Sequence, residues 1–448
     1  MKKPVHNENC ETEFGNFIQR KDGKLFDGDK ELRFVSINCP NLHICEDAPW
    51  WYEGDWQWHQ IDQFEQEDAL KTIKQMGGQV VRMYVFSVIG GNKNTDEMSH
   101  ILGPSEINED MFKALDRLLY LCNRYQIRLI IPFIDNWNHW GGVTEFAALR
   151  KKKRDDFFTD EDLIKDFKYL INYVLNRTNH ITGTKYKDDK AILAWETGNE
   201  LIYPDIGGWT AEMAAYIKSI DSNHLVSDGH YGVREKSLDD PNVDIVSDHY
   251  YNDRGEDFVQ RFYTGYQKAH GKKVFYVGEF GSADLVKNHR LINEVVKSDA
   301  AGIMYWALRY HCKDGGFYNN GHRWPGFSCR SDIKEIETMR LLREHAYEIQ
   351  GKDIPPIPVP AAPELLAIGD PEKITWRGSV GAESYDVERS ETEDGPWKIV
   401  GTEFSDGIIP YQPFSDCTVE DGKKYYYRII AKNSSGNSPC SNIETFVN

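Results

Sequence analysis

The chain has 448 residues, 40% of them hydrophobic and 28% charged, with a formal net charge of −18. That length exceeds what one ordinary core takes, so a large unit with a smaller appended module is expected. The acidic balance argues against nucleic acid or anionic lipid as partner, and no apolar run is long enough to cross a bilayer, so neither nucleic acid nor membrane is expected and a neutral substrate fits better.

The N-terminus, MKKPVHNENC, carries two lysines but no apolar stretch behind them. As written this predicts a cytoplasmic protein, or a secreted one whose signal has been removed. The first strand pattern is RFVSIN at Arg33. Phe64, Leu70, Ile73 and Met76 then recur at helical spacing, and the Gly77-Gly78 pair predicts the end of that helix. QVVRMYVF at Gln79 is the second strand, and Met111, Leu115, Leu118, Leu119 and Cys122 mark the next helix. IRLIIPFI at Ile127 is the third strand; Thr159 with Asp162 resembles a capping box ahead of a helix through Leu163, Phe167, Leu170 and Val174. AILAWET at Ala191, HLVSDG at His224, VDIVSDHY at Val243, KKVFYVGEF at Lys273 and AGIMYWAL at Ala301 complete eight strands. Most are unbroken apolar runs, as parallel strands covered on both faces require. Eight such strands alternating with helices over residues 1–352 predict an α/β fold, a (β/α)8 TIM barrel. No GxGxxG turn points to a dinucleotide.

The segment Asp353–Pro363, DIPPIPVPAAP, has five prolines in eleven residues and predicts a stiff linker. From residue 364 to 448 the pattern turns all-β: ITW, SYDVERS, KKYYYRIIAKN and SNIETFV, separated by turns at Asp370-Pro371, Asp394-Gly395-Pro396 and Ser435-Gly436-Asn437. Eight cysteines at irregular spacing include no CxxC pair, which disfavours a zinc site and predicts free thiols; Cys312 with Cys329 and Cys417 with Cys440 are the pairs a disulfide would join. No metal or other cofactor is expected.

In a (β/α)8 barrel chemistry sits where strands end. The fourth strand runs into WETGNE, placing Asn199 and Glu200 at the rim, and the seventh into YVGEFG, placing Glu279 there. Two carboxyl groups at opposed rims suit glycoside cleavage, one protonating the leaving oxygen and one serving the anomeric carbon. Like charges resist joint ionisation, so Glu200 is expected to stay protonated while Glu279 remains an anion.

WETGNE and VGEFG resemble the acid/base and nucleophile strands of glycoside hydrolase family 5. The resemblance extends to Arg82 in VVRMYVF, Asn199, His249 and Tyr251 in SDHYY, and Trp306 in IMYWAL. It implies a retaining enzyme with Glu200 as acid/base, Glu279 as nucleophile, Arg82 and Tyr251 beside Glu279, Asn199 on the sugar 2-hydroxyl and Trp306 under the reacting sugar. The DNWNHWGG run, with Asn136 and Trp137, resembles the mannan-active branch, whose first Asn is replaced here by Asp135. It implies a β-mannosidase or endo-β-mannanase, with β-mannosidic oligo- or polysaccharide as partner. The loop LRYHCKDGGFYNNGHRW adds His311 and Trp324 as candidate substrate contacts, and WWYEGDWQWH at Trp50–His59 is a second candidate wall. A β-glucanase, β-glucosidase or transglycosylase of the same mechanism is the alternative; a non-catalytic sugar-binding barrel is the alternative of another class. Residues 364–448 resemble a fibronectin type III domain, with Trp376, Tyr385 and Tyr425 at its core Trp, inner-face Tyr and tyrosine corner, and a structural role is expected for them.

Overall fold

The eight apolar runs form a closed parallel barrel: β1 (Phe34–Asn38), β2 (Val80–Arg82), β3 (Arg128–Pro132), β4 (Ile192–Glu196), β5 (Leu225–Ser227), β6 (Ile245–Tyr250), β7 (Val274–Phe280) and β8 (Gly302–Tyr305), each paired with its sequence neighbours and β8 closing on β1. Every residue of these strands is buried. Both faces are covered, hence the absence of alternation in the sequence. The structure is a computed structural model that describes residues 13–46, 58–91, 96–204, 206–251, 257–282, 284–318, 333–407 and 413–447.

A helix follows each strand: α1 (Gln63–Gln75), α2 (Phe112–Tyr125), α3 (Glu161–Asn176), α4 (Ile206–Ile220), α5 (Glu235–Asp239), α6 (Phe258–Ala269), α7 (Leu285–Lys297) and α8 (Ile333–Glu348). Gly77, at φ 84°, follows the last turn of α1 as expected. The capping expected at Thr159 lies one residue on: Asp160 is the N-cap of α3 and accepts from the Asp162 and Leu163 amides. The reciprocal capping box is instead at α1, where Asp62 accepts from Glu65 N at 2.9 Å and Glu65 accepts from Asp62 N at 3.0 Å. Such a cap is worth about 1 kcal/mol.

A three-stranded antiparallel sheet (Ile18–Lys21, Lys24–Asp27, Lys30–Leu32) precedes the barrel. The sequence pattern did not show it. Its Ile18, Leu25 and Leu32 join Phe34, Val80, Ile245, Val274 and Met304 in one buried cluster, so it plugs the barrel at the end opposite the strand C-termini.

Beyond α8, residues 352–363 carry no regular structure. They are held nonetheless: the Ala361 carbonyl accepts from Ser379 Oγ and the Pro358 carbonyl from Asn433 Nδ2. A five-stranded antiparallel sheet follows, built on Ser384–Ser390, Lys398–Phe404 and Lys424–Asn433, with a two-stranded sheet of Glu364–Leu365 and Trp376–Arg377 beside it. Trp376, Tyr385, Val387, Tyr425, Tyr427 and Ile429 form its separate core. Cys417 and Cys440 are free thiols rather than a bridged pair; Cys312 is free and buried, and Cys329 lies outside the described residues. Among the described residues no helix is long and apolar enough to cross a membrane.

Candidate active site

At the C-terminal ends of the strands the apolar runs give way to a buried polar layer organised by Arg82. Its guanidinium, fully buried at the end of β2, donates to Glu196 (Nε to Oε2 2.8 Å, Nη2 to Oε1 3.2 Å), to Glu279 Oε1 at 2.9 Å and to Asn199 Oδ1 at 2.7 Å. Two carboxylates outweigh the burial that would otherwise discharge it, and its pKa rises. Glu196, the last residue of β4, takes the bidentate share. The sequence reading did not single it out, although it stands inside WETGNE.

Glu200 lies just past β4 at φ 52°, a left-handed conformation that costs a side-chain-bearing residue about 1 kcal/mol or more. Flanking backbone bonds hold it there: Asn199 N to the Ile134 carbonyl at 2.7 Å and Leu201 N to the Gly229 carbonyl at 2.9 Å. Gly229 has φ 60°, and a Cβ there would fall 2.0 Å from the Gly198 carbonyl, so only glycine lets these two strand ends approach. Glu200 Oε1 accepts from His249 Nδ1 at 2.7 Å and Oε2 from Trp137 Nε1 at 2.6 Å.

Glu279, near the end of β7, accepts from Arg82 and, through Oε2, from the Tyr251 hydroxyl at 2.6 Å. His249 Nδ1 is also 3.5 Å from Glu279 Oε2, so one imidazole nitrogen faces both carboxylates. Gly278 makes room for that ring, since a Cβ there would lie 2.7 Å from His249 Nε2. Ligand atoms of Glu200, His249 and Glu279 all lie within 4.8 Å of one another.

This shared imidazole reverses the expected division of protons. Burial would lower the His249 pKa, but Glu279 and Glu200 raise it. Burial would raise Glu200, but the hydrogen bond and charge of His249, with Trp137 and Arg82, hold it below the usual carboxylate range. Glu279 is pushed above that range by burial and by the Glu200 charge, against His249, Arg82 and Tyr251. The proton expected on Glu200 is thus drawn toward His249, one hydrogen bond away. The three groups titrate as one system.

The other residues singled out in the sequence divide. Trp137, 48% exposed, presents its ring beside Glu200, and Trp306 meets Tyr84 edge-on at 5.8 Å. Asn199 joins the Arg82 cluster. Asn136 turns to the loop behind Glu200 instead of the carboxylates: its Oδ1 accepts from Arg154 at 2.6 Å and from the Ile202 amide at 3.2 Å. His311 does not face the cleft. It is buried between Asp68 of α1 and Asp406 of the C-terminal module, because the chain after β8 turns under that module rather than along the rim. Trp324 and most of the Trp50–His59 segment lie outside the described residues. Tyr84 and Asp135, which donate and accept at 2.6 Å, complete the buried layer and were not among the sequence candidates.

Among the described residues, two clusters offer three side chains that could ligate a metal: Glu200, His249 and Glu279 at the strand C-termini, and Cys45, His59 and Glu65. A cation in the first would sit beside the Arg82 charge. In the second, Glu65 is already engaged by the Asp62 and Lys313 amides and by the Tyr318 hydroxyl.

Residues 35–253 match the family model described as GH family 5 beta-mannosidase-like. Over that stretch, just under half of its length, the chain is similar to this family. The match ends before β7, so Glu279 and Trp306 are placed by geometry alone. Among curated relatives, mannan endo-1,4-beta-mannosidase 8 of Oryza sativa subsp. japonica is 33% identical over 207 residues, 43% of this chain and 53% of its own length. Mannan endo-1,4-beta-mannosidase 7 of Arabidopsis thaliana is 40% identical over 212 residues, 43% of this chain and 47% of its own length. The chain thus spans about half the length of the curated relatives it matches. The solved endo-1,4-beta-mannanase of Rhizomucor miehei superposes with a TM-score of 0.63 at 23% identity, over 75% of this chain and 100% of that one. The endo-beta-1,4-mannanase of Thermotoga petrophila gives 0.61 at 20% identity over 94% of this chain and 99% of that one. At these identities the structural likeness shows a shared (β/α)8 fold.

Proposed function

We propose that the protein is a retaining glycoside hydrolase of β-1,4-mannosidic bonds. The observation that carries this reading is the pair of carboxylates on one imidazole, one oxygen of each within 4.8 Å of the other. Retention needs the two groups about 5 to 5.5 Å apart, whereas inversion needs roughly 6.5 Å or more to admit a water between them. Glu279 attacks the anomeric carbon as the glycosidic C–O bond breaks, and the Glu200–His249 pair delivers its proton to the leaving oxygen. Water then attacks the same carbon, returns a proton to Glu200 and releases Glu279. The mannan preference is supported by the family match and by the named relatives.

The test is incubation with aryl β-mannoside, aryl β-glucoside, mannohexaose and cellohexaose, with the first-formed anomer followed by NMR. Turnover of the mannosides with the β-anomer first is expected, and stepwise loss of single mannoses would mark exo action. An α-anomer first, or turnover of the glucosides alone, refutes the proposal.

The protonation pattern predicts a bell-shaped kcat/KM profile. On the acid side activity is lost as Glu279 takes up a proton, at a pH above an ordinary glutamate because its pKa is raised. On the alkaline side it is lost as the proton shared by Glu200 and His249 leaves, at a pH above an ordinary histidine because that of His249 is raised. Initial rates across pH check both limbs; an alkaline limb below the ordinary histidine value contradicts the shared-proton account.

The same reading takes residues 364–448, beyond the 353–363 segment, as a fibronectin type III-like sandwich with a structural role. It is supported by Trp376 against Tyr385 at 5.1 Å and by the Tyr425 hydroxyl accepting from the Glu420 amide at 3.2 Å, in the manner of a tyrosine corner. Trp397, half-buried, packs against the Arg428 guanidinium, 4.2 Å from its ring centre.

A further inference from the structure

Asp135, where the resemblance leads one to expect asparagine, is fully buried just beyond β3 and bridges in parallel to Asn199. Its Oδ1 accepts from Asn199 Nδ2 at 2.9 Å, its Oδ2 from the Tyr84 hydroxyl at 2.6 Å, and its side chain also takes the Trp137 amide. Each of these three partners reaches the reaction centre. Asn199 is held by Arg82, Trp137 donates to Glu200, and Tyr84 meets Trp306 edge-on.

We propose that Asp135 is a positioning residue whose carboxylate locks Asn199 as a hydrogen-bond donor and Tyr84 as an acceptor toward the cleft, and whose charge holds the proton on the Glu200–His249 pair. The proposal rests on the glycosidase reading of the site.

The logic is that of donor and acceptor counting. Arg82 only donates, so the Asn199 atom facing it is the oxygen, and the amide N–H₂ turns to residue 135. A carboxylate has no donor, so it accepts from Asn199 and Tyr84 at once. An asparagine offers one oxygen and one N–H₂, so either Asn199 meets another donor or the Tyr84 hydroxyl reverses. With Asp135 ionised, Asn199 keeps one N–H for a sugar hydroxyl and Tyr84 presents only lone pairs. Tyr84 remains a donor to Asp135, since burial and the charges of Asp135, Glu279 and Glu200 drive its pKa far above the ordinary value.

Among the described residues, the charged and titratable groups that bear on Asp135 are Tyr84 at the β2 end and Glu200 beyond β4, with Arg82 behind Asn199 and His139 6.4 Å from the Tyr84 ring. Burial pushes Asp135 up to about 7 against the hydrogen bonds of Tyr84, Asn199 and Trp137, and the Glu200 charge adds to the rise. The effect is mutual: an ionised Asp135 disfavours a bare Glu200 carboxylate and delays loss of the proton on the alkaline side.

The test is Asp135→Asn in the full chain, which keeps size and removes charge. Its melting temperature should stay near wild type while kcat/KM at the optimum falls about ten- to a hundredfold. Its alkaline limb should move to lower pH by at least about half a unit. A merely structural role would lower activity without moving the limb, and an unmoved limb overturns the proposal. An infrared pH titration of the resting protein needs no turnover. Wild type should show a carboxylic-acid carbonyl band that disappears as pH rises through neutrality and is missing from Asp135→Asn; absence of any Asp135-dependent band overturns the proposal. Should wild type turn over none of the glycosides, the glycosidase reading fails and the infrared result still decides whether Asp135 is the ionised acceptor.

Discussion

Replacing Glu279 by alanine is expected to lower kcat by roughly 10⁵-fold or more, the scale of losing a catalytic nucleophile. Glu200→Ala is expected to cost about 10²–10⁴-fold, the scale of a general acid, and less on aryl mannosides whose leaving group needs little protonation. Both variants should fold. Arg82 keeps its bidentate Glu196 partner without Glu279, and His249 retains Glu279 at 3.5 Å without Glu200. Alanine at position 200 meets the same left-handed backbone as glutamate, so no new strain arises. The two roles are separable with azide. In Glu279→Ala azide attacks the open face directly and gives the α-mannosyl azide; in Glu200→Ala it intercepts the glycosyl-enzyme and gives the β-mannosyl azide. The measurements are melting temperature, turnover and product configuration. Wild-type rates in either folded variant, or the same azide anomer from both, would refute the assignment.

The barrel strands were legible because a strand covered on both faces needs no alternation, and VVRMYVF, RLIIPFI and KVFYVGEF have none. The carboxylates followed from one topological rule, that strand C-termini carry the chemistry, and His249 and Tyr251 from the resemblance of SDHYY to the sixth strand of glycoside hydrolase family 5. What stayed hidden depends on contacts far apart in sequence. The N-terminal plug is made of short, half-exposed strands such as Ile18–Lys21 that bury one face only against the assembled barrel. Lys398–Phe404 is an edge strand with no buried residue, so it carries no apolar period. Tyr84 and Asp135 lie 51 positions apart and meet only when β2 and β3 are side by side. Two acids alone would place the proton on Glu200; the imidazole between them, brought in by β6, draws it away. His311 follows β8, the position of a rim residue in the sequence, but packing against Asp68 and Asp406 turns it inward.

That inward turn makes His311 the site of the largest expected stability effect. Its Nδ1 is 2.9 Å from Asp68 Oδ1, its amide donates to Asp68 Oδ2 at 3.0 Å, its Nε2 is 3.3 Å from Asp406 Oδ2, and its ring stacks on Phe317 at 4.0 Å. A buried imidazolium thus ties α1, the segment after β8 and the C-terminal module together, and its pKa is pushed up to about 10 by Asp68 and Asp406 in spite of burial. Backbone bonds follow the same path, from Phe317 N to the Gly407 carbonyl at 2.7 Å and from Gly316 N to the Trp376 carbonyl at 3.2 Å. Gly378 permits the approach, since a Cβ there would lie 2.3 Å from His311 Nε2. His311→Ala leaves two buried carboxylates without their shared cation, and a loss of about 3–5 kcal/mol is expected in chemical denaturation. The folded pKa is raised, so the imidazolium contribution is complete below the unfolded value of 6.5 and fades as pH climbs toward about 10. Wild-type melting temperature should therefore fall across that window, and His311→Gln should flatten the fall. Because residues 306–311 run directly from Trp306 to this clamp, a chain cut after residue 352 should lose stability and kcat/KM together. A truncated barrel as stable and active as the full chain would show that the module hangs free of the site.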